Sequence, residues 1–376
     1  MRIAQLANFV GPTSGGMKHA VDALGAGYAA AGAERLLVVP GPRDARYATE
    51  AGDVVQLRAP RVGGGYRLIL EPWRVADALD AFAPTSVEVS DKSTLLPVAS
   101  WARRNGVRSV LFSHERLDAM IALRTGWGAG VSASTAALNR LLVRQFDAVV
   151  VTSTFARGEF AAHAAKVGTP THHIPLGVDL DVFRPGRARV DGGRVRPLRL
   201  VHVGRLSREK SPHLAVATAV ELHRRGVPLV LDVYGEGPHR GELERLARYA
   251  PVVFHGHVAG RRALSARIAR ADVALSVCPA ETFGLAVLEA LASGTPVVTA
   301  DVGGARELVD EASGAWAAPD PAALADAVLE LAARPRDLSR TGARRRAEEF
   351  PWARSVTEML AVHAATDAEE HWGRPA

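Results

Sequence analysis

Short apolar runs alternate with longer stretches of helical periodicity along almost the whole chain, and this alternation constrains the fold more than any other feature. Strands that alternate with helices are typical of βαβ units around a parallel sheet. In the first half, the runs that predict strands are 2–9, 35–39, 86–89, 109–113 and 147–151. The stretches that predict helices between them are 16–31, 73–82, 94–104 and 132–145.

The second half of the chain begins the same pattern again with a different sequence. Its predicted strands are 198–203, 229–233, 252–254, 273–277 and 296–299. Its predicted helices are 211–225, 239–248, 284–293 and 321–333. Between the two series, the segment 183–197 is rich in Pro, Gly and Arg and has no apolar periodicity, which is typical of a linker.

This organisation predicts two α/β domains. We expect a first domain over 1–185, a linker over 186–197 and a second domain over 198–350. The remaining 351–376 are expected to form a helix that packs back on the first domain, followed by a frayed tail. With 376 residues, of which 48% are hydrophobic and 23% charged, the chain is long enough for two cores of ordinary size.

The cysteine content and the first residues indicate a cytoplasmic protein. Cys278 is the one cysteine, which excludes a disulfide framework and a zinc site of paired cysteines. The apolar run at the start is too short for a signal peptide and lacks a small-residue cleavage site. No uncharged stretch reaches the roughly 18 to 20 apolar residues that a membrane helix needs. We therefore expect a protein that is soluble or peripheral on a membrane.

The charge balance favours anionic partners. The 46 Lys and Arg outnumber the 40 Asp and Glu, and the net charge is +6. Phosphates, acidic lipids and nucleic acids would all suit this charge, and a solvated surface is the alternative. Binding to nucleic acid is not expected, because no aromatic stacking platform or known motif accompanies the arginines.

Two glycine-containing loops that follow predicted strands are candidate phosphate sites. In the first, Gly15 and Gly16 precede a helix, so the backbone can approach an anion and the helix start offers N–H groups. In the second, Gly204 ends a strand, and Arg205 and Lys210 can direct two cations at a diphosphate. The alternatives are a tight turn for the first loop and a solvated surface loop for the second.

Two further strand ends are weaker candidates. Gly235 lies in the segment 232–238, where a turn is the alternative to a ligand contact. The segment 254–258 places the backbone of His257 and Val258 where a base could be bound through main-chain hydrogen bonds.

Glu281 and Glu289 enclose a segment that is predicted to join a loop to a helix. The amides of Phe283, Gly284 and Leu285 would face an anion at the helix start. A carboxylate beside a phosphate site is costly unless it binds hydroxyls, and Glu289 can accept two hydrogen bonds from a vicinal diol. The pattern therefore favours a sugar between the two glutamates. A solvated Glu pair on an amphipathic helix is the alternative.

Together these motifs resemble the retaining GT-B glycosyltransferases of the glycogen synthase and phosphatidylinositol mannosyltransferase type. The resemblance covers nearly the whole chain and rests on the motifs at 174–183, 204–210, 235–238, 281–289 and 294–298. It implies an α/β protein of two Rossmann-like domains whose parallel sheets face each other across a cleft. It also implies a nucleotide-sugar donor, bound chiefly on the second domain, and no required cofactor or metal.

The resemblance also implies a role for each matched donor residue. Glu281 would contact the hydroxyls of the transferred sugar, and Glu289 would contact the ribose. Arg205 and Lys210 would hold the diphosphate, and Gly16 would approach it from the first domain.

One pair of carboxylates is not predicted to bind metal. Asp179 and Asp181 form an Asp-x-Asp segment that resembles the metal motif of the other glycosyltransferase fold. They lie in the Leu-Gly-Val-Asp motif before the linker, however, and this position predicts a turn.

Within the family, the first domain is most similar to GDP-mannose-dependent mannosyltransferases that act on phosphatidylinositol mannosides, particularly on the dimannoside. This similarity is carried by the segments 5–16, 63–67, 88–91 and 113–118. It implies that His114 is an active-site histidine near the donor sugar, whereas a lone His after a strand would otherwise be structural. Tyr66, Arg67 and Arg116 are assigned to the acceptor or membrane side.

The resulting hypothesis is a retaining transfer of mannose from GDP-mannose to a phosphatidylinositol mannoside or similar glycolipid. Three alternatives stay open: a UDP-sugar-dependent transferase with another glycolipid or a small natural product as acceptor, a nucleotide-sugar-binding protein, and a two-domain nucleotide-sugar epimerase.

An anionic membrane surface is a separate expectation. Four arginines enclose an apolar stretch that includes Tyr66, 68–70 and Trp73, and they are Arg58, Arg61, Arg67 and Arg74. Apolar anchors flanked by arginine suit an anionic interface on the inner face of a membrane. A buried structural helix is the alternative.

Overall fold

The computed structural model describes residues 1–8, 15–62, 66–92, 94–116, 129–186 and 196–365, with the backbone alone at 129–133. Contacts divide the described chain into two compact units. The first comprises the described residues up to 175 together with 352–365, and the second comprises 176–186 and 196–351. Most of the predicted linker and the tail from 366 onward lie outside the described residues.

The first unit contains an eight-stranded sheet in the part of the chain that the structure describes. Its strands are β1 (Arg2–Leu6), β2 (Glu34–Gly41), β3 (Ala45–Thr49), β4 (Gly52–Arg58), β5 (Ser86–Val89), β6 (Arg108–Ser113), β7 (Ala148–Val151) and β8 (Thr171–His173). The strands lie in the order β3-β4-β2-β1-β5-β6-β7-β8. All neighbours pair in parallel except β3 and β4, which are antiparallel.

Helices of the first unit pack on this sheet. They are α1 (Gly16–Ala30), α2 (Pro72–Phe82), α3 (Pro97–Arg104), α4 (Ala129–Gln145), α5 (Thr154–Arg157) and α6 (Ala161–Val167). Strand residues such as Val38, Val89 and Leu111 are buried against Leu79 of α2 and Leu142 of α4. Strands covered in this way have continuous apolar runs, as the sequence of β7 illustrates.

The described residues of the second unit form a six-stranded sheet in which all neighbouring strands are parallel. Its strands are β9 (Leu198–Val203), β10 (Leu229–Tyr234), β11 (Val252–Gly256), β12 (Val273–Ser276), β13 (Val297–Ala300) and β14 (Gly314–Ala317), in the order β11-β10-β9-β12-β13-β14. Its helices are α7 (Pro212–Arg224), α8 (Arg240–Leu246), α9 (Arg261–Ile268), α10 (Leu285–Ala292), α11 (Pro321–Ala333) and α12 (Arg336–Glu348). The described part of this unit also contains two 3-10 turns, Arg208–Lys210 and Gly304–Leu308.

The last helix of the described chain, α13 (Trp352–Ala364), lies in the first unit. It packs against α1, where a Cβ at Gly27 would collide with the side chain of Val356. Glycine at this position therefore allows the two helices to approach closely.

The structure corrects several expectations about the elements. β1 ends at Leu6 rather than at residue 9. The helix expected from 94 begins at Pro97, and proline is tolerated at the first helical position. The first sheet is not wholly parallel, because β3 turns back along β4. The elements that the sequence analysis missed are β3, β4, β8, β14, α5, α6, α9 and α12.

The boundary expected at residue 185 also differs from the observed division. Residues 176–186 belong to the second unit. Nη1 of Arg344 in α12 donates to the carbonyls of Leu180 at 3.4 Å and Phe183 at 2.9 Å. These bonds hold the segment before the linker on the second unit.

Candidate active site

Four of the predicted donor motifs begin at the ends of neighbouring strands in the second unit. Strands β9 to β12 are parallel and adjacent, so the segments that follow them lie along one edge of the sheet. These segments begin after Val203, Tyr234, Gly256 and Ser276. Ligands of open α/β sheets bind outside the carboxyl ends of the strands. The fold therefore brings the predicted donor residues of this unit to one edge.

The loop after β9 is positioned by the loop after β10. The amide of Gly204 donates to the carbonyl of Tyr234 at 3.0 Å. Gly235 has a φ of +145°, and a Cβ at this position would collide with the carbonyl oxygen of Gly204. Gly235 therefore allows the close approach of the two loops, which places Gly204 and Arg205. Contact between Gly235 and a donor stays a prediction.

Lys210 and Glu281, which are both predicted to contact the donor, form an ion pair with each other. Nζ of Lys210 lies 2.9 Å from both Oε1 and Oε2 of Glu281. The lysine side chain is 42% exposed and the glutamate side chain 16%. A diphosphate would attract the ammonium, and sugar hydroxyls would donate to the carboxylate. A nucleotide sugar that bound these residues would thus replace part of the ion pair with its own contacts.

Glu281 lies in a loop whose backbone is tied to two neighbouring turns. The carbonyl of Glu281 accepts from the amide of Gly304 at 2.6 Å. Sγ of Cys278 donates to the carbonyl of Glu209 at 3.2 Å, and burial raises the pKa of this thiol to about 11. Cys278 is therefore a neutral thiol that joins the loop to the 3-10 turn carrying Lys210, and it is not an activated nucleophile.

Gly284 and the helix α10 follow this loop. Gly284 has a φ of +106°, which favours glycine, and Leu285 is the first helical residue. The helix was expected from Gly284, one residue earlier, and Phe283 lies in the loop before it and is 5% exposed. The first amides of a helix have no acceptor within it, so the start of α10 can donate to an anion. Such contacts of Phe283, Gly284 and Leu285 stay predictions.

Glu289 in α10 is paired with a residue that the sequence analysis missed. Nη2 of Arg261, the first residue of α9, lies 3.5 Å from Oε1 of Glu289. Burial raises the pKa of Glu289 to about 7, while Arg261 acts to lower it. No local signal marks Arg261, because it lies 28 positions from Glu289 and meets it through the packing of α9 on α10.

His257 and Val258 follow β11, which extends to Gly256, two residues beyond the expected strand. His257 is exposed and Val258 is half-buried. The side chains beside them form a pair that was not predicted. The ring of His255 stacks on Tyr234 with centroids 4.7 Å apart, and its Nε2 lies 2.7 Å from Oδ1 of Asp232. Base binding by the backbone of His257 and Val258 stays a prediction.

In the first unit, His114 follows β6. Its Nε2 lies 3.1 Å from Oγ of Ser90, and its ring centroid lies 4.2 Å from that of Phe112. Burial lowers the pKa of His114 to about 4, with a smaller lowering by Lys92 and an opposing effect of Glu88. The imidazole is therefore neutral near pH 7 and can donate or accept a hydrogen bond without carrying a positive charge.

A buried ion pair that the sequence analysis missed holds the segment that contains His114. Nζ of Lys92 lies 2.7 Å from Oε2 of Glu159, and the two side chains are 8% and 1% exposed. The same ammonium donates to the carbonyl of Glu115. Lys92 thereby fixes the backbone beside His114.

The residues assigned to the acceptor or membrane side contact neighbouring backbone. Nη1 of Arg116 donates to the carbonyl of Phe155 at 3.0 Å, and the guanidinium of Arg116 lies 4.4 Å from the centre of the Phe155 ring. Arg67 donates to the carbonyl of Ala59, and Tyr66 is half-buried. Their contact with an acceptor or a membrane stays a prediction.

The apolar stretch beside these residues is divided between core and surface. Ile69 is 3% exposed and belongs to the core, whereas Leu70 is 52% and Trp73 60% exposed. Arg74 is bound to acidic side chains, since Nη2 lies 2.6 Å from Oδ1 of Asp44. The predicted surface is therefore smaller than the sequence suggested.

Gly15 and Gly16 are exposed at the start of α1, where Gly15 is the N-cap and Gly16 the first helical residue. The preceding loop, 9–14, lies outside the described residues, as does the glycine run 63–65. Contact of Gly15 and Gly16 with a diphosphate stays a prediction.

Asp179 forms a turn, as predicted. Its Oδ1 accepts from the amides of Asp181 at 3.1 Å and Val182 at 3.0 Å. Within the described ranges, no group of three or more His, Cys, Asp or Glu side chains is arranged to hold a metal ion.

Comparison with known proteins identifies the family. The family model "Glycosyl transferase 4-like domain" matches residues 15–177, and the model "Glycosyl transferases group 1" matches residues 197–334. The chain is 42% identical over 373 residues to a GDP-mannose-dependent alpha-(1-6)-phosphatidylinositol dimannoside mannosyltransferase of Mycobacterium tuberculosis, with 97% of this chain and 96% of that protein covered. The chain belongs to the group 1 glycosyltransferases.

Other relatives of this glycosyltransferase agree with the assignment. It is 32% identical over 261 residues to a glycogen synthase of Mycobacterium tuberculosis, with 67% of this chain and 62% of that protein covered. Among solved structures, sucrose-phosphate synthase from Thermosynechococcus elongatus matches with a TM-score of 0.77 at 20% identity, over 96% of this chain and 98% of that one. Trehalose-6-phosphate synthase OtsA matches with a TM-score of 0.75 at 14% identity, over 97% and 99% of the two chains. The predicted GT-B fold is confirmed.

The described helices of the glycosyltransferase include none that is both long and apolar enough to cross a membrane.

Proposed function

We propose that this glycosyltransferase transfers mannose from GDP-mannose to a phosphatidylinositol mannoside or a similar glycolipid, with retention of configuration at the anomeric carbon. One observation carries the proposal: the 42% identity, over 97% of the chain, to the mannosyltransferase that acts on phosphatidylinositol dimannoside. Relatives with other named activities, such as glycogen synthase, are less similar and match a smaller share of the chain.

The donor residues that we propose lie along the carboxyl edge of the second sheet. Arg205, Lys210 and the first amides of α10 hold the diphosphate, because these groups combine two cations with the positive end of a helix dipole. Glu281 accepts hydrogen bonds from hydroxyls of the transferred sugar. Glu289 accepts them from the ribose.

The proposed chemistry depends on stabilisation of the leaving group. As the bond from the anomeric carbon to the diphosphate breaks, negative charge develops on the phosphate oxygens. Fixed cations and amides stabilise this charge without reorganising. The acceptor hydroxyl attacks from the face on which the diphosphate departs, and its proton passes to a phosphate oxygen. Glu281 positions the sugar, in contrast to the nucleophilic carboxylate of retaining glycosidases.

His114 is proposed to hydrogen-bond the donor sugar as a neutral imidazole. The low pKa of about 4 supports this role, since a neutral ring can accept or donate without competing for the diphosphate charge. Its contact with Ser90 orients the ring. No metal or other cofactor takes part in the proposed reaction, so turnover is expected to be unchanged by a chelator.

A peripheral position on the inner face of an anionic membrane is also proposed, because it would bring the enzyme to a lipid acceptor. Leu70 and Trp73 are exposed apolar side chains, and Arg58 and Arg61 beside them are exposed cations. Aromatic and aliphatic anchors flanked by arginine suit such a surface.

Vesicle sedimentation tests the membrane contact. We expect the wild type to sediment with anionic vesicles more than with neutral ones, and Leu70→Ser with Trp73→Ser to reduce the bound fraction. Leu338→Ser is a matched control, since Leu338 is exposed to 70% on the second unit. Equal sedimentation with both lipids would count against the contact.

A thermal-shift panel tests the donor. The wild type is heated with GDP-mannose, UDP-glucose or ADP-glucose, because a ligand that binds the folded state alone raises Tm. We expect selective stabilisation by GDP-mannose. Selective stabilisation by UDP-glucose would replace the proposed donor. Incubation of the protein with a nucleotide sugar and no acceptor is a separate test, in which consumption of the nucleotide sugar would indicate an epimerase or hydrolase.

A further inference from the structure

Arg261 and Glu289 form an ion pair that the proposed reaction does not explain. Glu289 lies in α10 with its side chain 15% exposed, and Nη2 of Arg261 lies 3.5 Å from its Oε1. Arg261 is the first residue of α9 and follows Gly260, whose φ is +89°. The positive φ of Gly260, which favours glycine, thus places Arg261 at the start of the helix, beside the carboxylate of Glu289.

A second contact, with the ring of Phe183, also holds the guanidinium of Arg261. It lies 4.9 Å from the ring centre of Phe183, which is fully buried. Phe183 is itself fixed by Arg344, which donates to the carbonyls of Phe183 at 2.9 Å and Ala292 at 3.0 Å. Because Ala292 ends α10, the same arginine fixes both the ring beneath Arg261 and the helix that carries Glu289.

Three arginines on the other elements that pack on α10 are directed elsewhere. In α12, Arg340 donates to the carbonyls of Ala269 and Ala271, while Arg344 donates to the carbonyls described above. In the 3-10 turn after β13, the guanidinium of Arg306 lies over the ring of Trp316. Arg261, in contrast to these three arginines, lies within ion-pair distance of the Glu289 carboxylate.

We propose that Arg261 is a positioning residue for the donor: it orients the carboxylate of Glu289, so that both ribose hydroxyls of the nucleotide can donate to it. This inference rests on the proposed function, in which Glu289 binds the ribose. Arg261 acts through Glu289 and need not touch the nucleotide.

The reason lies in the burial of Glu289. Burial raises its pKa to about 7, and Arg261 opposes this rise. A protonated carboxyl group has fewer acceptor sites than a carboxylate, and two ribose hydroxyls need two acceptors. Removal of the guanidinium favours the protonated form, so the pKa of Glu289 rises further and a higher pH is needed for the same ribose contact.

Titration calorimetry of the full-length protein with GDP and with 2′,3′-dideoxy-GDP tests this inference. The variants are Arg261→Gln, Arg261→Lys and, as a control, Arg262→Gln, since Arg262 is exposed on the same helix. Binding is measured from about pH 6 to about pH 8.5, a range that spans the Glu289 transition.

We expect Arg261→Gln to weaken GDP binding about tenfold near neutral pH, the size of one charge-assisted contact. The pH at which GDP binding is half-maximal moves upward in this variant. Arg261→Lys restores most of the affinity, and Arg262→Gln binds as the wild type does. Dideoxy-GDP lacks the hydroxyls, so Arg261→Gln and wild type bind it equally.

Two results would overturn the inference. In the first, Arg261→Gln binds GDP like the wild type at every pH. In the second, the variant loses as much affinity for dideoxy-GDP as for GDP, which would make Arg261 a structural or diphosphate residue. Mannose transfer from GDP-mannose is followed in the same preparations. A wild type that transfers mannose limits either failure to Arg261, whereas one that neither binds GDP nor transfers mannose overturns the proposed function and the inference with it.

Discussion

At the scale of single residues, the proposed donor site contains two opposite charges that neutralise each other. The ammonium of Lys210 lies 2.9 Å from both oxygens of Glu281, and each group is proposed to bind a different part of the donor. The pair is partly exposed, so its own contribution to stability is small, about 1 kcal/mol or less. Its two charges are thus available to a ligand at little cost to the fold.

Substitution of Lys210 is expected to reduce catalysis more than binding of the nucleoside. Lys210→Ala removes a cation from the developing charge of the leaving diphosphate, and we predict a fall in kcat/KM of about a hundredfold. Steady-state kinetics with GDP-mannose measure this fall. Lys166→Ala is the control, since Lys166 is exposed in α6 of the first unit.

Glu281→Gln is expected to lower kcat/KM by about tenfold through the loss of a charged acceptor for a sugar hydroxyl. The double variant should lose less than the product of the two single effects, because the residues contact each other. Full activity in Glu281→Gln and in Lys210→Ala would refute both assignments.

At the scale of elements, α13 is tied to the first unit by a buried polar cluster. Glu88 of β5 accepts from Nε2 of Gln5 at 2.9 Å and from the hydroxyl of Tyr28 at 2.7 Å. Nε2 of His363 lies 3.2 Å from Glu88, and Nδ1 of His363 lies 2.8 Å from Oγ of Ser86. The side chains of Glu88 and His363 are fully buried, so these contacts replace all their hydration.

The cluster makes stability dependent on acid pH. Burial alone would raise the pKa of Glu88, but His363, Tyr28 and Gln5 bring it below its ordinary value. A carboxylate with a lowered pKa stabilises the fold above its unfolded pKa, and this stabilisation is lost as the pH falls through the folded pKa. The wild type should therefore lose Tm as the pH is lowered below about 4.5.

Glu88→Gln is predicted to destabilise the protein by about 3 kcal/mol and to lower Tm by about 5–10 °C at neutral pH, since it disrupts a buried network. Below the ordinary glutamate pKa, the difference between wild type and variant should shrink. Thermal unfolding followed by circular dichroism measures both effects. Glu50→Gln is the control, because Glu50 is exposed. An unchanged Tm in Glu88→Gln would show that the cluster does not hold α13.

Elements were predictable from the sequence where their signals are local. The bounds of β5, β9 and α11 agree with the prediction, since each has an apolar pattern closed by clear breaks. In α11, for example, Asp320 caps the amides of Ala322 and Ala323, and Pro321 is the first helical residue. β3 was missed because it is an exposed edge strand without apolar alternation.

The same limit applies to the site. The loops after β9 and β12 were predicted because each motif is contiguous and follows a strand. Arg261 and the Glu88–His363 contact were not, since their partners lie 28 and 275 positions away and meet only through tertiary packing.

At the scale of the whole molecule, each unit is a parallel sheet covered by helices, apart from the antiparallel β3 edge. The relative from Mycobacterium tuberculosis matches 97% of the chain, so the similarity extends over both units. The solved structures, at 20% identity or less, share the fold and do not indicate the substrate. A direct assay therefore tests whether the transferred sugar is mannose and the acceptor a lipid.

The most direct test of the central claim is to incubate the protein with GDP-mannose and phosphatidylinositol dimannoside and to characterise the lipid product by mass spectrometry and NMR. The account predicts a product with one added mannose, joined through an α-linkage that retains the configuration of the donor. It also predicts that Lys210→Ala forms this product far more slowly. A wild type that leaves the lipid unchanged while it transfers sugar from a UDP-linked donor to another acceptor would contradict the account.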